Sequence, residues 1–145
     1  MYRHILIPVD GSPLSMTAME TSMAFARDAG AKVTALMVVE PFHLFTMSPE
    51  QIEATREEYE RLSRAQADHC LAAAAREAER FGVPCEVVQL ESDDPYLGII
   101  DTATQRGCDL IAMASHGRRG IAALMLGSVT LKVLTHSSIP VLVYR

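Results

Sequence analysis

The stretch HILIPVDGSP, residues 4–13, decides how the rest of the chain is read. A short apolar run closed by a turn signal reads as a strand buried on both faces. Asp10-Gly11-Ser12-Pro13 is that signal. Ser12 suits a helix N-cap and Pro13 the first helical position, where a missing N–H costs nothing. A buried strand feeding a capped helix is the first half of a βαβ unit.

Working outward, Met16, Met19, Met23 and Ala26 recur at helical spacing until Gly30. KVTALMVVE (32–40) is a second strand, with Val33, Ala35, Met37 and Val39 on one face and mostly apolar residues on the other. PFHLFTMS (41–48) reads as a loop of unusual apolar character. Ser48-Pro49-Glu50-Gln51 is a capping box opening a helix to about Phe81, with Glu57–Arg61 and Glu60–Arg64 as i,i+4 pairs. After Gly82-Val83-Pro84 come a strand, CEVVQLE (85–91), and a helix capped by Asp94-Pro95 that runs to about Arg106. CDLIAMAS (108–115) is a fourth strand, GSVTLKVLTHS (127–137) a helix and IPVLVYR (139–145) a fifth strand. Alternation of this kind predicts one α/β domain over residues 1–145, a doubly wound five-stranded parallel sheet with helices on both faces. In such sheets ligands bind beyond the carboxyl ends of the strands, where the strand order reverses.

Composition narrows the function classes. The chain has 145 residues, a formal net charge of −5 and a pI near 5.5. That balance argues against general nucleic-acid binding, which needs a cationic face. No apolar run approaches the roughly 20 residues that span a bilayer. MYRHILIPVDG reaches Asp10 too early for a signal peptide. Cys70, Cys85 and Cys108 form no CxxC and read as spare thiols of a reducing cytoplasm. Met37, Met113 and Met125 read as core.

The segment MASHGRRGIAALMLGS (113–128) leaves a buried strand and enters a helix. Gly117 permits a positive φ and close approach of a ligand to the main chain. Gly127-Ser128 sets free N–H groups, a hydroxyl and the positive end of a helix dipole at one point, which favours phosphate. Thr130 adds a second hydroxyl, and Arg118 is placed to cover an anion. There is no GxxxxGK[ST] and no GxGxxG after the first strand, so neither a P-loop nor an ordinary dinucleotide site is present. His116 reads as a loop histidine bonded to main chain, because no nucleophile or metal-ligand spacing accompanies it. His136 suits the last turn of its helix.

ILIPVDGS and DLIAMASHGRRGIAALMLGSVTLKVLTHSSIPVLVYR resemble the opening and closing segments of the universal stress protein family, and the likeness spans the whole chain. The family's nucleotide-binding branch carries Gly, two residues, Gly, nine residues, then Gly-Ser or Gly-Thr. Here those positions are Ala114, Gly117, Gly127 and Ser128.

The resemblance implies an ATP or ADP site. Val38 would meet the adenine through its main chain, with Pro8, Val9 and Met113 enclosing the base and Asp10 near the ribose. Gly117, Gly127, Ser128, Val129 and Thr130 would hold the phosphates and Ala114, at the first motif position, also belongs to the site, with Mg or Mn bridging the phosphates and no direct protein ligand to the metal. Arg118 is added on charge alone. Ala114 costs strain only if its φ is positive. Asp93 and Asp94 would repel phosphate if they faced the site, and Asp94 reads as a helix cap.

Two functions follow: a nucleotide-responsive regulatory module with at most slow hydrolysis and no catalytic residue, or a nucleotide-free dimeric interaction protein of the same fold. An adenylate-forming enzyme is weaker, since no HIGH or SGGxDS signature occurs. PVLVY, apolar on both faces, reads as an edge strand, and an exposed apolar edge recruits another strand. A homodimer through residues 140–145 is expected.

Overall fold

The computed structural model describes residues 1–42, 49–117 and 125–145, with the side chains of 49–52 outside that description. Elements follow in the order β1 (His4–Pro8), α1 (Pro13–Ala29), β2 (Lys32–Val39), α2 (Pro49–Phe81), β3 (Cys85–Glu91), α3 (Pro95–Gln105), β4 (Leu110–Ala114), α4 (Ser128–His136) and β5 (Val141–Tyr144). All strand pairs are parallel, in the order β3-β2-β1-β4-β5. The doubly wound α/β arrangement read from the sequence is the one observed. Strand order reverses at β1, which has β2 on one side and β4 on the other.

Local chemistry explains the element ends. Ser12 Oγ accepts the Ser15 N–H at 3.2 Å, with Pro13 in the first turn of α1. Gly30 closes α1 in the left-handed region at φ 67°, a conformation cheap only for glycine. Asp94 sits at the N-cap of α3, but its side chain makes no capping bond. Its N–H instead donates to Ser92 Oγ at 3.2 Å. Arg61 takes Glu58, three residues back, through two hydrogen bonds, rather than the expected Glu57. The i,i+3 spacing is an equal neighbour on a helix face. Ser48 and its capping box begin outside the described residues.

Two cores flank the sheet. Ile5, Ile7, Val33, Ala35 and Met37 join Met19, Met23 and Ala26 of α1 and Ala67, Cys70, Leu71 and Ala74 of α2. Leu6, Leu36, Ile111 and Met113 join Ile99 and Ala103 of α3 and Val133 of α4. Ile5, Leu6 and Ile7 are fully buried, each contributing about 1.5–3 kcal/mol by removal of its side chain from water. Met125 departs from its core reading, being 72% exposed. Among the described residues no disulfide joins the three cysteines. Among them, too, no helix is long and apolar enough to cross a membrane.

One residue opens the sheet at the reversal point. β1 pairs with β2 over five residues, His4↔Lys32 to Pro8↔Leu36. With β4 its register covers only Ile5↔Leu110 and Leu6↔Ile111. Residues of a strand direct their main-chain groups to alternate sides. The Val9 N–H donates to the Leu36 carbonyl on the β2 side, so Pro8 faces β4. Proline has no N–H to carry that ladder further. The strands part there, at their carboxyl ends.

Candidate functional site

The parting of β1 and β4 leads into a cavity of about 520 Å³ across the carboxyl edge of the sheet. Its size suits a small-molecule ligand. It is lined by Pro8, Val9 and Asp10 after β1, Val38 of β2, Met113 and Ala114 of β4, Gly117, and Gly127, Ser128, Val129 and Thr130 at the start of α4. Of the twelve residues read from the sequence as site residues, only Arg118 lies outside the described residues.

Asp10 is held from several directions. Its Oδ1 accepts the Ser12 N–H at 2.9 Å, and its own N–H donates to Ser15 Oγ at 3.0 Å. Its Oδ2 lies against Gly117, where a Cβ on residue 117 would collide with it. Gly117 therefore owes its identity to close approach and not to the expected positive φ, which it does not adopt. Ala114 likewise has no positive φ and carries no backbone strain.

The start of α4 is fastened to the end of β4. The Gly127 N–H donates to the Ser115 carbonyl at 2.7 Å, and Thr130 Oγ1 to the Ala114 carbonyl at 2.9 Å. A Cβ at Gly127 would come within 3.1 Å of the His116 Cα, so glycine lets the two segments touch. The first helical bond runs from Leu131 N–H to the Gly127 carbonyl. The amides of Ser128, Val129 and Thr130 precede it, and Gly127 has no side chain to cap them. Such first-turn donors, with the helix dipole behind them, favour an anion. The Thr130 hydroxyl differs from its sequence reading: it is buried and its proton is given to Ala114. Ser128 is exposed to the cavity mouth.

At the other end, Val38 shares the side of Leu36, because Val39 sends its carbonyl to Ser92 N–H on the β3 side. With the β1 ladder ended at Leu36, the Val38 amide and carbonyl look past β1 into the cavity.

Several lining residues were missed by the sequence reading. Lys132 lies one turn beyond Ser128 on the same face of α4, with its Nζ 5.4 Å from the centre of the Tyr96 ring. The i,i+4 spacing from Ser128 is the signal that would have found it. His116 also lines the cavity, its Nδ1 3.3 Å from Ser115 Oγ rather than on main chain. Tyr59, Ser63 and Gln66 form a wall from α2. Asp93 and Asp94 are not among the lining residues. Among the described residues no group of three or more His, Cys, Asp or Glu is placed to hold a metal.

Comparison with known proteins accords with this architecture. The universal stress protein family model matches residues 1–145. Universal stress protein MJ0531 of Methanocaldococcus jannaschii is 30% identical over 145 residues, covering 100% of this chain and 83% of that protein. The solved structure of UspA from Lactobacillus plantarum superposes with a TM-score of 0.80 at 26% identity, over 99% of this chain and 98% of that one. A universal stress protein from Archaeoglobus fulgidus, solved in complex with dAMP, shares the fold with a TM-score of 0.69 at 20% identity, over 99% and 98% of the two chains. With the family model matching the full length and a curated relative 30% identical over the whole chain, the chain belongs to the universal stress protein family.

Proposed function

We propose that this protein is an adenine-nucleotide-binding regulatory module, a single cytoplasmic domain that takes ATP or ADP in the cavity between β1 and β4. The observation carrying this reading is the convergence, in one cavity, of the Asp10 carboxylate, the close-packed Gly117 and the uncapped first-turn amides of α4. The amides offer donors to phosphate, and the carboxylate accepts from sugar hydroxyls. The Val38 main chain offers a donor and an acceptor to the edge of the base. The dAMP complex of the Archaeoglobus fulgidus protein supports the ligand class. A divalent ion, Mg or Mn, would be carried on the phosphates.

No residue is assigned a catalytic role in this reading, which allows slow hydrolysis at most. The module acts as a homodimer paired through β5, an edge strand of the sheet. Nucleotide binding would then be reported to partners through that assembly.

The test is thermal unfolding with ATP and Mg²⁺, joined to mass spectrometry of the denatured protein for retained adenine nucleotide. A ligand at a hundred times its Kd stabilises the fold by about 2.7 kcal/mol. An unchanged Tm at millimolar ATP, with no nucleotide released, would overturn the proposal.

A further inference from the structure

The helix α2 changes character as it passes the carboxyl edge of the sheet. Over β2 and β3 its inward stripe is apolar: Ala67, Cys70, Leu71 and Ala74 are buried in the core. One turn towards its N-terminus the same stripe continues as Gln66, Ser63 and Tyr59, all half-buried and all lining the cavity. A stripe serving packing alone would stay apolar.

Several helical hydroxyls elsewhere are spent on their own helix. Thr17, Thr21, Ser22, Thr104 and Thr135 each donate back to the carbonyl four residues earlier, at 2.7–3.0 Å. Ser63 makes no such bond and lines the cavity. Gln66, three residues on and on the same face, lines it too. The wall is anchored, because Tyr59 Oη donates to the Glu40 carbonyl at 2.7 Å and its ring lies 5.4 Å from that of Phe42.

Its place in the fold says which part of a ligand it meets. α2 packs on β2 and β3, whereas the anion-binding amides of α4 stand beyond β4. The wall therefore stands at the Val38 end of the cavity, away from the phosphates. We infer that Gln66, with Ser63, is a specificity-determining residue that reads the base of the bound nucleotide and selects adenine over guanine.

The selection follows from donor and acceptor patterns. A glutamine amide offers a donor and an acceptor side by side, matching the N7 acceptor and N6 amino donor of adenine. Guanine presents two acceptors on that edge, N7 and O6, and leaves the amide oxygen facing another oxygen. The inference rests on the nucleotide reading given above, and its test separates the two.

Kd values for ATP, AMP, GTP and 7-deaza-ATP are measured by calorimetry on the wild type, Gln66→Leu and Ser63→Ala. Removing N7 is expected to weaken wild-type binding about tenfold, the size of one lost hydrogen bond to a well-placed group. Gln66→Leu should bind ATP and 7-deaza-ATP equally, and its preference for ATP over GTP should fall by about tenfold or more. Ser63→Ala should weaken ATP severalfold, while the ratio of ATP to AMP affinity stays unchanged in both variants. A wild type that binds ATP but whose ATP to 7-deaza-ATP ratio survives in Gln66→Leu overturns this inference alone. A wild type that binds no nucleotide overturns it together with the reading on which it rests.

Discussion

The Oδ2 of Asp10 occupies the position where a side chain on residue 117 would begin. The two residues come from the ends of β1 and β4, more than a hundred positions apart in sequence, and meet where those strands separate. Gly117→Ala must push the Asp10 carboxylate away, at the expense of the bond its Oδ1 accepts from the Ser12 N–H. The variant is expected to lose about 1–3 kcal/mol of stability through overpacking. Its Kd for ATP should rise about tenfold or more as the carboxylate is displaced. Denaturant melts with and without ATP and Mg²⁺ separate the two effects, and ATP binding equal to wild type would sink the expectation.

Thr130 holds α4 against β4. The Ala114 carbonyl points to the side on which β1 has ended, and the Thr130 hydroxyl supplies its donor. Thr130→Val keeps the shape and removes that donor, at a cost of about 1–3 kcal/mol for a buried carbonyl left without its bond. Thr130→Ser keeps the hydroxyl and should recover most of that loss, less one buried methyl. Equal urea midpoints for the valine and wild-type proteins would contradict the assignment.

At the opposite edge, burial first and the nearby Lys32 second hold the His4 imidazole below its ordinary value of 6.5, against Asp109 and Glu86. Its Nε2 lies 2.7 Å from Thr34 Oγ1. With a depressed folded pKa, the unfolded chain binds the proton more readily. The stability contributed by neutral His4 is complete above about pH 6.5 and is lost as pH falls through the folded value. Between pH 7 and pH 5, Tm should drop in the wild type and drop less in His4→Gln. Parallel profiles would show that His4 is not the titrating group.

Asp109 gives a second, lower window. Burial alone would raise its carboxyl, but the N–H groups of His4 and Arg3 outweigh it and hold the pKa below 3.8. Its stabilisation is present above that value and disappears as pH falls through the folded one.

The β5 edge makes a sharp test of the dimer. The Pro140 and Tyr144 carbonyls accept the Ile111 and Ser115 N–H groups of the β4 segment. Val141 and Val143 therefore direct their main-chain groups outward. Val143→Pro removes one outward N–H without touching the inner ladder, a substitution that edge strands tolerate. Sedimentation velocity at micromolar concentration should give a dimeric mass for wild type and a shift to monomer for the variant. A wild-type monomer would rule out the proposed assembly.

Much of the fold was legible because proline and glycine punctuate it. Ser12-Pro13, Gly30, Gly82 and Asp94-Pro95 mark element ends through local chemistry, which a sequence displays directly. The residues that line the crevice were legible where they sit on or beside strand ends. What escaped depends on tertiary approach. Gly117 announced conformational freedom, whereas its need is the neighbouring Asp10 oxygen. Glu58 displaced Glu57 as the partner of Arg61 by side-chain rotamer. Ser63 and Gln66 lie on a distant helix, and their polarity acquires meaning only once the inward stripe of α2 is known to overrun the sheet.

The short β1–β4 pairing has a mechanical side. Below it, the Asp109 carboxylate binds the Arg3 N–H at 2.9 and 3.1 Å and the His4 N–H at 3.0 Å, riveting the two strands at their amino ends. Above it, Pro8 leaves the tips apart. The pair is built like tongs with a fixed fulcrum, and a molecule gripped by both tips ties together two strand ends that main-chain bonding leaves apart.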